Sequence, residues 1–91
     1  MSAGFLGMNP DEIDGVAGQF GAKAGELDRI KGELDNQVNS TSGNWKGNDA
    51  EKFRGDWPTF RGQLDNITNA LREVERALRT QANQQRETSG A

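Results

Sequence analysis

Cysteine, histidine and tyrosine are all absent from the sequence, and proline occurs only twice. Without cysteine there is no disulfide framework and no thiolate metal site. Without histidine the commonest metal ligand and the usual general base of catalysis are missing. No apolar run approaches the roughly 20 residues of a membrane span, so no stable membrane insertion is expected. The opening segment, MSAGFLGM, has no cationic region and no long apolar stretch, so it does not read as a secretory signal peptide. Apolar residues are themselves scarce, at 32% of 91 residues and a mean hydropathy of -0.90. A chain this short, with so few of them, is not expected to bury a self-sufficient core. Association with another chain is the expected supplement.

Charge is also modest. Residues 1–45 hold seven acids and three bases, and residues 46–91 hold seven acids and eight bases. Neither half is basic enough for a phosphate-binding surface, so no nucleic-acid partner is expected. Arg72, Arg76, Arg79 and Arg86 gather toward the C-terminus, where they would complement the negative end of a helix dipole.

What is present is helical. In MNPDEI, Asn9 can serve as N-cap, Pro10 fits the first helical position and Glu12 closes a capping box. Met8 and Ile13 are spaced for a hydrophobic staple. From there Ile13, Val16, Phe20, Leu27, Ile30 and Leu34 follow one stripe at spacings of three and four, widened by Ala17, Ala24 and Val38. Lys23 and Gln37 occupy two places in that stripe. The turn formers NSTSGN then end it. A second, cleaner stripe runs through Ala50, Phe53, Trp57, Phe60, Leu64, Ile67, Leu71, Val74 and Leu78. It keeps its phase across Pro58, which is expected to kink one helix rather than start another, at a cost of about 3 kcal/mol or more. After Leu78 the apolar residues stop, and the tail is expected to fray.

The expected organisation is a flexible segment over residues 1–8, a helical hairpin over 9–78 with its turn at about 39–48, and a fraying or disordered tail over 79–91. The fold class is all-α, an antiparallel two-helix hairpin. A symmetric turn would set Leu34 beside Phe53, Ile30 beside Trp57, Leu27 beside Phe60, Phe20 beside Ile67, Val16 beside Leu71 and Ile13 beside Val74, with a one-turn shift of register left open. Two helices touch along one line, so each wide stripe keeps a flank in water. Dimerisation into a four-helix bundle covers those flanks most simply. Gly18, Gly25 and Gly32, with Gly55 and Gly62 on the second helix, recur at seven-residue spacing opposite the stripes and read as a solvated face.

No catalytic arrangement emerges. A two-helix rod offers no pocket deep enough to shift a pair of carboxylates. Ser40, Thr41 and Ser42 have no histidine to activate them. The expectation is no enzyme, no cofactor and no metal.

That leaves Trp45 in the most polar stretch of the chain, SGNWKGNDAEKF. Gly47 is free to take the positive φ that a tight turn demands, and Asn48 or Asp49 is placed to cap the second helix. Trp45 can plug the end of the core beside Val38 and Phe53 or present an aromatic anchor to another protein, and the two roles are compatible. Trp45-Lys46-Gly47 at the turn of a hairpin of this length resembles the Trp-X-Gly (WXG) family of ESX-type (type VII) secretion systems. The likeness covers nearly the whole chain, and Ala50 and Phe53 take the small and aromatic places that often follow the motif.

The resemblance implies a dimeric four-helix bundle, homo- or heterodimeric, secreted without a cleaved signal peptide or escorting a partner to the secretion ATPase. It makes Trp45 and Gly47 the secretion motif at the turn. In the family this turn works with a C-terminal Tyr-x-x-x-Asp/Glu signal, and this sequence has no tyrosine; Asn83 and Glu87 have the nearest spacing. A heterodimer whose partner supplies that signal is therefore favoured over a homodimer. The alternative is a cytoplasmic adaptor or targeting module that binds a larger helical protein and is not secreted. A membrane-active hairpin is disfavoured, because neither helix has a basic face low in acids.

Overall fold

The computed structural model describes residues 8–90. Helix α1 spans Pro10–Ser40, a 3-10 turn covers Thr41–Gly43, and helix α2 spans Asn48–Gly90. The two helices run antiparallel, as a hairpin 65 × 18 × 17 Å in extent. The capping box at the start of α1 is formed as expected. The Glu12 N–H donates to Asn9 Oδ1 at 2.8 Å, and the Asn9 N–H donates to Glu12 Oε1 at 3.2 Å. Asp11 and Glu12 lie in the first turn, at the positive end of the dipole. Helix α2 continues unbroken through Pro58, whose ring is exposed.

The two helices meet along a line of small and mixed residues. Ile13, Ala17, Ala24, Lys31 and Val38 are buried on α1, and Ala50, Thr68 and Ala82 on α2. The larger apolar side chains lie to one side of this line. Phe60 and Ile67 remain 49% and 51% exposed, and Ile30, Leu34, Phe53 and Val74 are exposed as well. Val16, Phe20, Leu27, Trp57, Leu64, Leu71 and Leu78 are half-buried. The expected pairing of stripe against stripe is therefore corrected: α1 meets α2 through the edge that Ala17, Ala24 and Val38 define.

The register differs too. Asp35 meets Arg61 and Lys31 meets Asp65, which slides α2 along α1 by about two and a half turns from the symmetric-turn pairing. The turn is asymmetric. The chain carries on past α1 as a 3-10 turn, and Arg54, in the second turn of α2, reaches back to Thr41 at 3.1 Å.

This slide explains a further correction, at the C-terminus. Because α2 starts beyond the end of α1, residues after Leu78 come level with the first turns of α1. Ala82 is fully buried, as is Ile13. Arg79 reaches Asp14, and Arg86 donates to Asp11 at 2.8 Å and to Asp14 at 2.7 Å. The segment expected to fray is helical to Gly90. At about 1.5 Å per residue, this 43-residue helix accounts for the length of the molecule. Arg72, Arg79 and Arg86 are cross-helix clips, not dipole partners, and the last turn of α2 holds no basic residue. Of the segment 1–8, residues 1–7 lie outside the described residues.

Candidate functional site

Two surfaces carry the residues singled out in the sequence: the turn, and the side of the hairpin on which the large apolar residues lie. At the turn, the backbone N–H groups of Asn44 and Trp45 donate to the Thr41 carbonyl at 3.2 and 2.8 Å. Lys46 Nζ donates to the Ser42 carbonyl at 2.9 Å. Gly47 has φ +111°, a conformation that L side chains rarely adopt, so this position requires glycine. Its carbonyl accepts the first hydrogen bond of α2, from the Glu51 N–H at 3.0 Å. Gly47 therefore stands where a cap was expected. Asn48 and Asp49 lie inside the helix, and Asp49 joins Glu51 at the positive end of the dipole.

Trp45 is held but not enclosed. Its ring centroid lies 5.5 Å from that of Phe53, tilted by 42°, within the range of favourable aromatic contact. Its carbonyl accepts from Arg54 at 3.0 Å. Its side chain is left 41% exposed, next to an exposed Phe53. Trp45 thus caps the edge of the apolar face without plugging the core, and the two rings form an aromatic corner at one end of the rod.

From that corner the apolar side of α2 continues as Phe53, Phe60, Ile67 and Val74, each seven residues from the next, with Trp57, Leu64, Leu71 and Leu78 beside them. On α1 it continues as Val16, Phe20, Leu27, Ile30 and Leu34. These are all the stripe residues expected from the sequence except Ile13 and Ala50, which are buried between the helices. A shallow groove between the helices at mid-length is lined by Gln19, Phe20, Lys23 and Leu71.

The opposite side is ionic. Trp57 Nε1 donates to Asp35 at 2.8 Å, and Arg61 Nε donates to both oxygens of that carboxylate at 3.0 and 2.8 Å. Lys31 pairs with Asp65 and lies 2.9 Å from Asp28, which in turn accepts from Arg72 at 2.7 Å. The Trp57 indole and then Arg61 hold the Asp35 carboxyl below the usual carboxylate range. Lys31 and then Arg72 do the same for Asp28. Asp65, followed by Asp28, raises Lys31. This ladder was not read from the sequence. Its signal was there: Asp28 and Asp35 are seven residues apart on α1, and Arg61, Asp65 and Arg72 follow the same face of α2.

The arrangement offers surfaces for protein contact. Among the described residues no group of His, Cys, Asp and Glu is placed to hold a metal ion, and no helix is long and apolar enough to cross a membrane. Gly25, Gly32, Gly55 and Gly62 face open space, in keeping with a solvated face. Gly18 and Gly21 differ, lying beside Arg79 and Glu75 of α2.

Comparison with known proteins agrees with this architecture. The model of the WXG100 family, described as proteins of 100 residues with WXG, matches residues 6–88. A solved structure of EsxA from Geobacillus thermodenitrificans superposes with a TM-score of 0.81 at 24% sequence identity, covering 91% of each chain. No curated protein matches.

Proposed function

The chain belongs to the WXG100 family, and from that premise we propose that it is a small substrate or co-substrate of an ESX-type (type VII) secretion system. It acts through dimerisation, as an effector or as an escort, and is made in the cytoplasm and secreted without a cleaved signal peptide. The observation that carries the reading is the aromatic corner. Trp45 is 41% exposed, rests on Phe53 and is fixed by a turn that only glycine at position 47 accommodates. A half-exposed aromatic at the tip of a rod is the kind of anchor that a recognising protein engages.

The apolar face supports the second part of the reading. Phe53, Phe60, Ile67 and Val74 are exposed in the single chain, and a contiguous apolar patch of this kind marks an interaction surface. A second hairpin laid on it completes a four-helix bundle. The sequence has no tyrosine, so a second WXG-type chain supplies the tail signal that accompanies the turn, and the pair is delivered to the secretion ATPase.

Export of Trp45→Ala from cells that secrete the wild-type chain tests this. The variant is expected to keep its helix content by circular dichroism and to accumulate inside the cells. Export at the wild-type level would remove the turn from any signalling role and favour an adaptor that works without it.

A further inference from the structure

What Arg54 holds sets it apart from Arg61, Arg72, Arg79 and Arg86, each of which grips a carboxylate. Arg54 Nη1 donates instead to two neutral oxygens, Thr41 Oγ1 at 3.1 Å and the Trp45 carbonyl at 3.0 Å. The residue is half-buried. A hydrogen bond from a charged donor is stronger than one between neutral groups, and here both such bonds are spent on the turn.

The two oxygens belong to the two sides of the connection. Thr41 closes α1: its hydroxyl donates to the Val38 carbonyl at 2.7 Å, and its carbonyl accepts the Trp45 N–H at 2.8 Å. The backbone of Trp45 is therefore held twice, through its N–H by Thr41 and through its carbonyl by Arg54. This matters because residues 44–47 lie outside both helices, where no helical ladder fixes the chain. Phe53, next to Arg54 in α2, carries the ring on which the indole rests. Consecutive residues of α2 thus engage the side chain and the backbone of Trp45.

We infer that Arg54 is a positioning residue of the export motif. By tying the Trp45 carbonyl to Thr41 it keeps the indole against Phe53, in one orientation for the protein that reads it. The inference rests on the reading of Trp45 as an export motif given above. A recognising protein that engages only the placed corner binds in proportion to the fraction of chains that carry it. Loss of the Arg54 hydrogen bonds shifts the equilibrium between placed and released corner toward release by roughly tenfold or more.

Heteronuclear NMR and export of two variants of the full chain, Arg54→Met and Arg54→Lys, test this. Methionine keeps much of the stem and loses every donor, whereas lysine keeps the charge and several donors. The wild-type chain has two indole N–H groups, Trp45 and Trp57, and Trp57→Phe assigns their signals. In Arg54→Met the Trp45 indole and backbone amide signals are expected to move and to gain fast motion, and export is expected to fall. The Trp57 indole signal and the circular dichroism should stay as in the wild type, which shows that the hairpin is intact. Arg54→Lys is expected to recover part of the Trp45 signals and of export. An Arg54 that only steadies the fold would lower the melting temperature and leave the folded-state Trp45 signals in place, which would overturn the inference. So would an Arg54→Met chain in which Trp45 is released but which is exported at the wild-type level while Trp45→Ala is retained. Normal export of Trp45→Ala would instead remove the export reading, and the Trp45 signals would still decide whether Arg54 holds the corner.

Discussion

The indole of Trp57 donates a hydrogen bond to Asp35 across the two helices, at 2.8 Å, and Arg61 grips the same carboxylate. Trp57 therefore has two roles: its ring borders the apolar face, and its N–H fastens the ionic side. The relationship fixes the register of the hairpin between the buried Lys31 and Val38 of α1.

Because Trp57 and Arg61 lower the pKa of Asp35, its contribution is present above the unfolded carboxylate value of about 3.9 and is lost as pH falls through its lower folded value. Asp28 behaves alike. Lys31 and Arg61 are raised, so what they contribute is present below their unfolded values and is lost only in strong alkali. Thermal melts should therefore lose stability as pH drops below about 4. Asp35→Asn should lower the melting temperature at neutral pH and flatten part of that acid slope. A variant with the wild-type acid slope would contradict the role given to Asp35.

Ile13 and Ala82 are both fully buried, in the stretch where Arg79 and Arg86 of α2 reach Asp14 and Asp11 in the first turns of α1. Ile13→Ala should cost about 2–4 kcal/mol in urea unfolding. Truncation after Leu78 should lower stability as well, since it removes Ala82 together with the Arg79 and Arg86 clips. A truncated chain as stable as the full one would mean that the tail does not dock.

Gly47→Ala forces a side chain onto a φ of +111°, and a destabilisation of about 1–3 kcal/mol is expected. Nothing lies within 4 Å of a Cβ built at this position, so the cost is one of backbone conformation and not of collision. Gly47→Asn should be destabilised in the same chemical denaturation, since a φ of +111° lies beyond the left-handed region, at about +60°, that asparagine tolerates.

Gly25 and Gly32 also face open space, but within α1. Replacing either with alanine should stabilise the chain by about 0.5–1 kcal/mol, read as a higher urea midpoint. A loss of stability would show that these positions carry a contact that the single hairpin does not have.

The start of α1, the continuity of α2 through Pro58 and the antiparallel hairpin were legible in the sequence, because capping residues and unbroken apolar spacing are local signals. Register was not. It depends on how the chain leaves α1, and NSTSGN gives no sign that a 3-10 turn will carry it onward before it reverses. From that one asymmetry follow the displaced pairings, the docking of Ala82 and the cross-helix use of Arg72, Arg79 and Arg86. The pairing of Asp35 with Trp57 and Arg61 depends on the same register. The apolar face was legible as a set of residues, whereas the choice of contact edge was not. A helix with a wide stripe can meet its neighbour through either margin, and here the margin of small residues does so.

The most direct test of the account is to follow the wild-type chain in culture medium, in cells with an active type VII secretion ATPase and in cells where that ATPase is inactivated. The account predicts that the chain appears in the medium only when the ATPase is active, and accumulates intact inside the cells otherwise. Retention in the cytoplasm under both conditions, or export that ignores the ATPase, would contradict it.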